Sequence, residues 1–181
     1  SYENPLSAQR TAEIIARIEG DVPHHSLSMT GGEPLLHVPF IRELAAHVHL
    51  PLFLETNGTL DQALAECIDC IDIISMDIKL PDVLSVPVWD AHARFLAVAR
   101  AKDVYVKIVV AAETADDDIV TAARIVADTA PETLLILQPV TPYGGCTAPT
   151  PEHLLVFQRL ALRHVSDVRI IPQTHRMMDL L

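Results

Sequence analysis

The chain has 181 residues, half of them hydrophobic, 20% charged and only 4% aromatic. That length and apolar content suit one well-cored domain over residues 1–181 and exclude a disordered tail. Its 13 Lys and Arg stand against 24 Asp and Glu, a net charge of −11 that repels phosphate backbones and excludes free nucleic acid as a partner. No apolar run approaches the roughly 20 residues needed to cross a bilayer, so no membrane partner is expected. The 3 cysteines, an odd number, argue against a secreted disulfide framework. Ser1-Tyr2-Glu3-Asn4-Pro5 lacks the basic-then-apolar layout of a signal peptide, and the expected compartment is the cytoplasm.

In chain order, apolar residues at helical spacing, such as Ile14, Ile15 and Ile18, alternate with short β-branched or Leu-rich runs. The pattern predicts a helix over 7–19, a strand over 26–29, a helix over 38–48 and a strand over 52–55. A helix over 61–68 and a strand over 72–76 follow, then a helix over 88–101 and a strand over 104–109. A helix over 116–128, a strand over 134–138, a helix over 151–164 and a strand over 168–171 complete the chain. Start signals support three helices: Asp61 before an Ala/Leu run, Thr114 before Asp116–Asp118, and Thr150-Pro151-Glu152 with proline at the first helical position. Strands that alternate with helices and are apolar on both faces imply a parallel α/β sheet. Such a sheet either stays open and doubly wound or curls into a barrel. The one long irregular stretch, 139–150, has the length of a lid or binding loop.

Parallel α/β folds build their sites at the C-terminal ends of the strands. Here those ends carry Thr30-Gly31-Gly32-Glu33-Pro34, Glu55-Thr56-Asn57-Gly58, Ser75-Met76-Asp77-Ile78-Lys79, Lys107, Gln138-Pro139 and Pro172-Gln173-Thr174-His175. Polar or charged side chains at every strand end point to a polar small-molecule site. The two glycines allow a sharp turn with uncovered carbonyls, Pro34 sets the exit, and Glu33 adds a carboxylate, which together suit an ammonium group.

With Gly31-Gly32-Glu33-Pro34 closing a strand, the chain resembles the radical SAM enzymes, whose Gly-Gly-Glu-Pro motif binds the amino end of S-adenosylmethionine. Glu55-Thr56-Asn57-Gly58 is similar to the family's next strand end, and Ser75, Asp77 and Lys79 to the one after it. The resemblance spans essentially the whole chain and implies an α/β fold, a partial (β/α)6 parallel barrel of radical SAM type. Asp82, Trp89-Asp90, His92 and Phe95, with Val106-Lys107-Ile108-Val109, Leu137-Gln138-Pro139 and the run from Val168 to His175, look most like the branch that rearranges 6-carboxy-tetrahydropterin with loss of ammonia, on the route to queuosine-type tRNA bases.

What the resemblance implies for the site follows residue by residue. Gly31, Gly32 and Glu33 would take the methionyl end. Asn57, Ser75, Asp77, Lys79 and Gln138 would complete the cofactor contacts to ribose and carboxylate, and Lys107, Gln173 and His175 would serve a pterin-like substrate. The implied cofactors are S-adenosylmethionine and a [4Fe-4S] cluster, with Mg2+ as an optional addition. The implied partners are the small-molecule substrate, a reductant such as flavodoxin or ferredoxin, and a second copy in a homodimer.

Two departures stand out. The family's Cys-x3-Cys-x2-Cys cluster loop is absent from these residues, and Ser1–Leu6 would fall just past it. The chain is therefore expected to begin beyond the first strand and cluster loop, and to be inactive alone. Met76-Asp77-Ile78-Lys79 is also reminiscent of glycyl-radical activating enzymes, which act on a protein backbone, and this supplies one rival reading. A non-catalytic, cluster-free domain that binds S-adenosylmethionine is the other.

Cys67-Ile68-Asp69-Cys70 has the spacing of a redox or zinc pair but sits at the end of a predicted helix, without a second pair, and reads as buried small hydrophobes. Cys146 reads as a loop thiol, and His24, His25, His47 and His49 as structural or solvated. Asp116–Asp118 reads as a solvated helix start. No residue is assigned as a metal ligand.

Overall fold

The computed structural model describes residues 5–20, 22–81, 88–142 and 145–174; Asp82 and His175 lie outside them. Helices and strands alternate as α1 (Ala8–Glu19), β1 (Leu27–Met29), α2 (Val38–Ala45), β2 (Leu52–Thr56), α3 (Asp61–Cys67), β3 (Ile73–Ile78), α4 (Trp89–Ala99), β4 (Asp103–Val110), α5 (Asp116–Thr129), β5 (Leu134–Pro139), α6 (Pro151–Ala161) and β6 (Val168–Ile170). Every predicted element is present. Two short 3-10 turns, Pro34–His37 and Ile68–Cys70, join strand to helix and helix to strand where only connections were expected.

The helix starts differ in how they are capped. Thr150 accepts a hydrogen bond from the His153 amide at 3.2 Å, with Pro151 as the first helical residue, as its sequence signals. Thr114 does not cap α5. Its hydroxyl oxygen accepts from the Ala111 amide at 3.0 Å, and the helix starts from Ala115 with three acidic residues in its first turn. Asp61 is itself the first residue of α3, after an uncapped Leu60. Aspartates there suit the positive end of the helix dipole. Helix α2 stops at Ala45, short of the predicted 48, because the Ala46 and His47 amides turn back to carbonyls of Glu43 and Leu44.

All strand pairs are parallel, and the order is β1-β2-β3-β4-β5-β6. Sequential order decides between the two architectures the sequence left open. Right-handed crossovers that always step the same way place every helix on the same face, whereas a doubly wound sheet reverses once. Successive helices accordingly pack on one another from α1 through α6. This is the wall of a partial (β/α)6 barrel.

The core lies between that helical layer and one face of the sheet, with Leu54, Ile74, Met76, Val106, Ile108 and Leu137 buried against Phe95, Leu96, Ile119 and Phe157. The alternate positions face the other way. There Phe53 meets Tyr105 with ring centroids 6.3 Å apart, and in register beyond them stand Glu55 beside Ser75 and Asp77 beside Lys107. A period of two puts the apolar set under the helices and the polar set on the open face.

Candidate functional site at the strand ends

The turn after β1 is built around Gly31, whose φ of 114° is open to glycine and strained for any other residue. Gly32 has no such constraint, and a Cβ added there would meet nothing within 4 Å. The protein's own packing therefore gives no reason for glycine at 32.

Glu33 has a different place from the one its motif suggests. One carboxylate oxygen accepts from the Leu35 amide at 3.1 Å and from the Thr56 hydroxyl at 2.9 Å; the other accepts from the Asn57 amide at 2.9 Å. It ties the end of β1 to the end of β2 and caps the first 3-10 turn. Three of the roughly four acceptor sites of a carboxylate are thereby used within the chain. The Thr56 hydroxyl also accepts from the Gly58 amide at 3.3 Å, and the Asn57 carbonyl oxygen holds the Thr59 amide and hydroxyl in an Asx turn.

The neighbouring strand ends carry charge. Asp77 accepts from the Lys79 ammonium at 2.7 Å, and the Lys107 ammonium lies 3.6 Å from the same oxygen. The other carboxylate oxygen of Asp77 is buried with no hydrogen-bond partner. Two cations therefore share one carboxylate oxygen while its twin is left bare. At 15% exposure for Asp77, 21% for Lys107 and 33% for Lys79, solvent screens this group only in part.

These residues surround one cavity of ≈ 290 Å³ lined by Thr30, Gly31, Gly32, Glu55, Thr56, Asn57, Ser75, Asp77, Lys79 and Lys107. Of the expected site residues, Gly31, Gly32, Asn57, Ser75, Asp77, Lys79 and Lys107 meet there. Glu33 braces the cavity from behind. Gln138 is half-buried on β5 and Gln173 accepts from the Thr141 amide at 3.2 Å; neither lines the cavity. His175 lies outside the described residues.

Behind the rim His92, fully buried on α4, is bonded at both ring nitrogens. Nδ1 lies 2.9 Å from the Gly58 carbonyl oxygen, and Nε2 accepts from the Lys79 amide at 3.2 Å. Sequence reasoning met His92 only as part of a resemblance. A single histidine on an apolar helix face carries no signal of which two strand ends it will join. Thr30 and Glu55, which also line the cavity, were quoted only as parts of strand-end runs; Glu55 accepts from the Ser28 hydroxyl at 3.0 Å.

Comparison with known proteins places this architecture. No family model matches the chain. Among solved structures, a radical SAM methyltransferase from Sphaerobacter thermophilus superposes with a TM-score of 0.68 at 14% identity, over 92% of this chain and 58% of its own. Streptococcus suis SuiB superposes with a TM-score of 0.65 at 12% identity, over 93% of this chain and 43% of its own. The fold is that of the radical SAM core. Sequence relatives sharpen this: a 7-carboxy-7-deazaguanine synthase from Geobacter sulfurreducens is 42% identical over 99% of this chain and 74% of its own length. One from Thermococcus kodakarensis is 30% identical over 98% and 72%. The chain belongs to the 7-carboxy-7-deazaguanine synthase family, a family of radical SAM enzymes. These relatives favour neither rival reading.

Membership implies S-adenosylmethionine and a [4Fe-4S] cluster. The cavity fits the first: a bare buried carboxylate oxygen, two ammonium groups and an open space over Gly32 supply acceptors, cations and room. The cysteines do not fit the second. Cys67 and Cys70 precede β3 at the strand-start end, whereas exposed Cys146 lies in the loop after β5 at the other end. Burial pushes the Cys67 thiol up to about 11 and raises that of Cys70, the opposite of a ligating thiolate. Among the described residues no three His, Cys, Asp or Glu side chains are placed to hold a metal ion.

Proposed function

We propose that this chain binds S-adenosylmethionine in the strand-end cavity and is the core of an enzyme that, when cluster-loaded, converts a 6-carboxy-tetrahydropterin into 7-carboxy-7-deazaguanine with release of ammonia, the product for which its relatives are named. The observation that carries the reading is the bare Asp77 oxygen beside Lys79 and Lys107, in the same cavity as the Gly31-Gly32 turn. Given one electron from an external reductant, bound S-adenosylmethionine would supply a 5′-deoxyadenosyl radical with methionine as the leaving group, and the protein's task is to bind, orient and exclude water.

The residues divide that task by their chemistry. Gly31 and Gly32 give a ligand close approach to backbone, with Glu33 setting the turn from behind. Asp77 accepts a hydroxyl or ammonium at its bare oxygen. Lys79 and Lys107 together carry one positive charge more than Asp77 cancels and hold a carboxylate. Asn57 and Ser75 supply neutral contacts to the ribose, with Gln138 a further cofactor contact. Gln173 and His175 belong to the substrate side. A flavodoxin- or ferredoxin-type reductant, Mg2+, a homodimer and a cytoplasmic setting complete the proposal.

Anaerobic assay of the full-length, cluster-loaded enzyme with 6-carboxy-tetrahydropterin tests it, beside calorimetric titration with S-adenosylmethionine. Product formation and binding that both fall in Asp77→Asn support the reading. Turnover indifferent to Asp77 would sink it.

A further inference from the structure

A buried polar side chain stands behind the cavity. His92 is shut off from solvent, does not line the cavity, and still makes two hydrogen bonds, both to backbone, on two different strand-end segments. A carbonyl can only accept, so Nδ1 must carry the proton toward Gly58. An amide can only donate, so Nε2 must be bare toward Lys79. The two partners together specify the neutral ring protonated at Nδ1. Burial also lowers the basicity of His92, which keeps it in that form.

The bonds continue outward on both sides. From Gly58 they run through its own amide to the Thr56 hydroxyl, then to the Glu33 carboxylate at the Gly-Gly turn. From Lys79 they run through its ammonium to Asp77. Beyond the end of the β2–β3 ladder, which stops at Thr56 and Met76, His92 thus adds a side-chain link between the Gly31–Gly58 side of the cavity and the Lys79–Asp77 side. The packing around it is tight. A Cβ at Gly58 would lie 2.8 Å from two side-chain atoms of Met76 and 3.3 Å from His92 Nδ1.

We propose that His92 is a positioning residue: as the Nδ1-protonated ring it clamps the Gly58 carbonyl to the Lys79 amide, and so sets the spacing between the turn that receives S-adenosylmethionine and the Asp77–Lys79 pair. The clamp rests on the assignment of the cavity to S-adenosylmethionine only for its functional consequence; its geometry stands alone. An apolar residue of similar size leaves the buried Gly58 carbonyl and the part-buried Lys79 amide without this partner, and the two segments beyond the β2–β3 ladder lose their tie. Gln, with one donor and one acceptor, can meet the same two groups.

The test compares full-length wild type, His92→Leu, His92→Gln and Phe157→Leu, the last a core substitution on α6 that lowers stability away from the cavity. Hydrogen exchange reads the clamp directly. The Lys79 amide is expected to exchange at least about tenfold faster in His92→Leu than in wild type, with recovery in His92→Gln and no change in Phe157→Leu. Long-range proton–nitrogen NMR correlation is expected to show the neutral ring protonated at Nδ1. Titration with S-adenosylmethionine is expected to lose about tenfold in affinity in His92→Leu and within about threefold in His92→Gln. Lys79 protection unchanged in His92→Leu, or a ring protonated at Nε2, overturns the proposal whatever the ligand data show. Normal exchange behaviour with no S-adenosylmethionine binding in wild type would instead remove the assignment of the cavity and leave the clamp in place. An affinity loss in His92→Leu no larger than in Phe157→Leu overturns the positioning role.

Discussion

The two ends of the sheet make an instructive pair. At the strand starts, a cavity of ≈ 570 Å³ is lined by Arg42, Asp69, Cys70, Asp72 and His49 among others. It is about twice the size of the strand-end cavity and is also charged. Yet its charges are spent on each other in water. Arg42 meets both oxygens of Asp69 at 2.6 and 3.1 Å with side-chain exposures of 46% and 63%, and Asp72 accepts from the Leu52 amide at 2.8 Å. At the strand ends the cavity is smaller, but a half-buried carboxylate meets two cations and keeps one oxygen bare. Capacity for a ligand follows from buried polar groups left unsatisfied, which cost free energy until something bonds them, and not from volume.

The sharpest way to test that contrast is to break the tight packing behind the strand-end rim. Gly58→Ala places a methyl 2.8 Å from Met76 at a φ of 65°. The expected loss is about 2–4 kcal/mol from overpacking plus left-handed strain, read by denaturant unfolding. Among the described residues no comparably packed glycine closes the strand-start end, and a loss below about 1 kcal/mol would mean that the rim yields easily.

Paired substitutions of one acid at each end come next. Asp77→Asn should weaken S-adenosylmethionine binding by about one to two powers of ten, the worth of a hydrogen bond to a charged group. Asp69→Asn, at a carboxylate that is exposed and spent on Arg42, should leave the titration unchanged. Equal losses would mean that only overall charge matters.

Glu33→Gln tests the brace. Whichever way the amide is turned, its NH2 faces a backbone donor, either the Leu35 or the Asn57 amide, and one of them loses its acceptor. A stability loss of about 1–3 kcal/mol is expected by thermal unfolding. Wild-type stability combined with weakened binding would show that Glu33 meets the ligand itself.

A smaller effect follows pH. Burial lowers the His92 pKa below its ordinary 6.5, so between those two values the unfolded chain holds the extra proton. The backbone hydrogen bonds to Gly58 and Lys79 and the Asp77 carboxylate oppose that shift, and the Lys79 ammonium adds to it. The contribution of neutral His92 is therefore full above about pH 6.5 and declines as pH falls below it. The stability difference between wild type and His92→Gln should be constant above that point and shrink beneath it. A difference that grows on acidification would contradict the neutral ring. Least of all should change in Cys70→Ser, which is expected to keep the iron content, activity and melting temperature of wild type.

Much of the site was legible without coordinates because strand-end residues in a parallel fold must converge on one edge. Gly31, Gly32, Asn57, Ser75, Asp77, Lys79 and Lys107 needed only an assignment of strands and the rule that sites form where they end. What stayed hidden was pairing. Whether Glu33 faced outward to a ligand or inward to Thr56 and Asn57 depended on the approach of β2, and the bond from Lys79 to His92 spans a connection no local pattern describes. Gln138 and Gln173 satisfied the same strand-end rule, yet neither lines the cavity.

The amino-acid sequence by itself determined the alternation of helices and strands, since periodicities of 3.6 and 2 are properties of each segment, and it determined the radical SAM class through one local turn. The tertiary structure decided that the sheet is wound in sequential order, because strand neighbours are chosen by packing between distant segments. It likewise decided which carboxylate stays bare. Asp77 and Glu33 are the same functional group in a sequence, and only the number of donors the folded chain brings to each separates the bare oxygen from those already bonded.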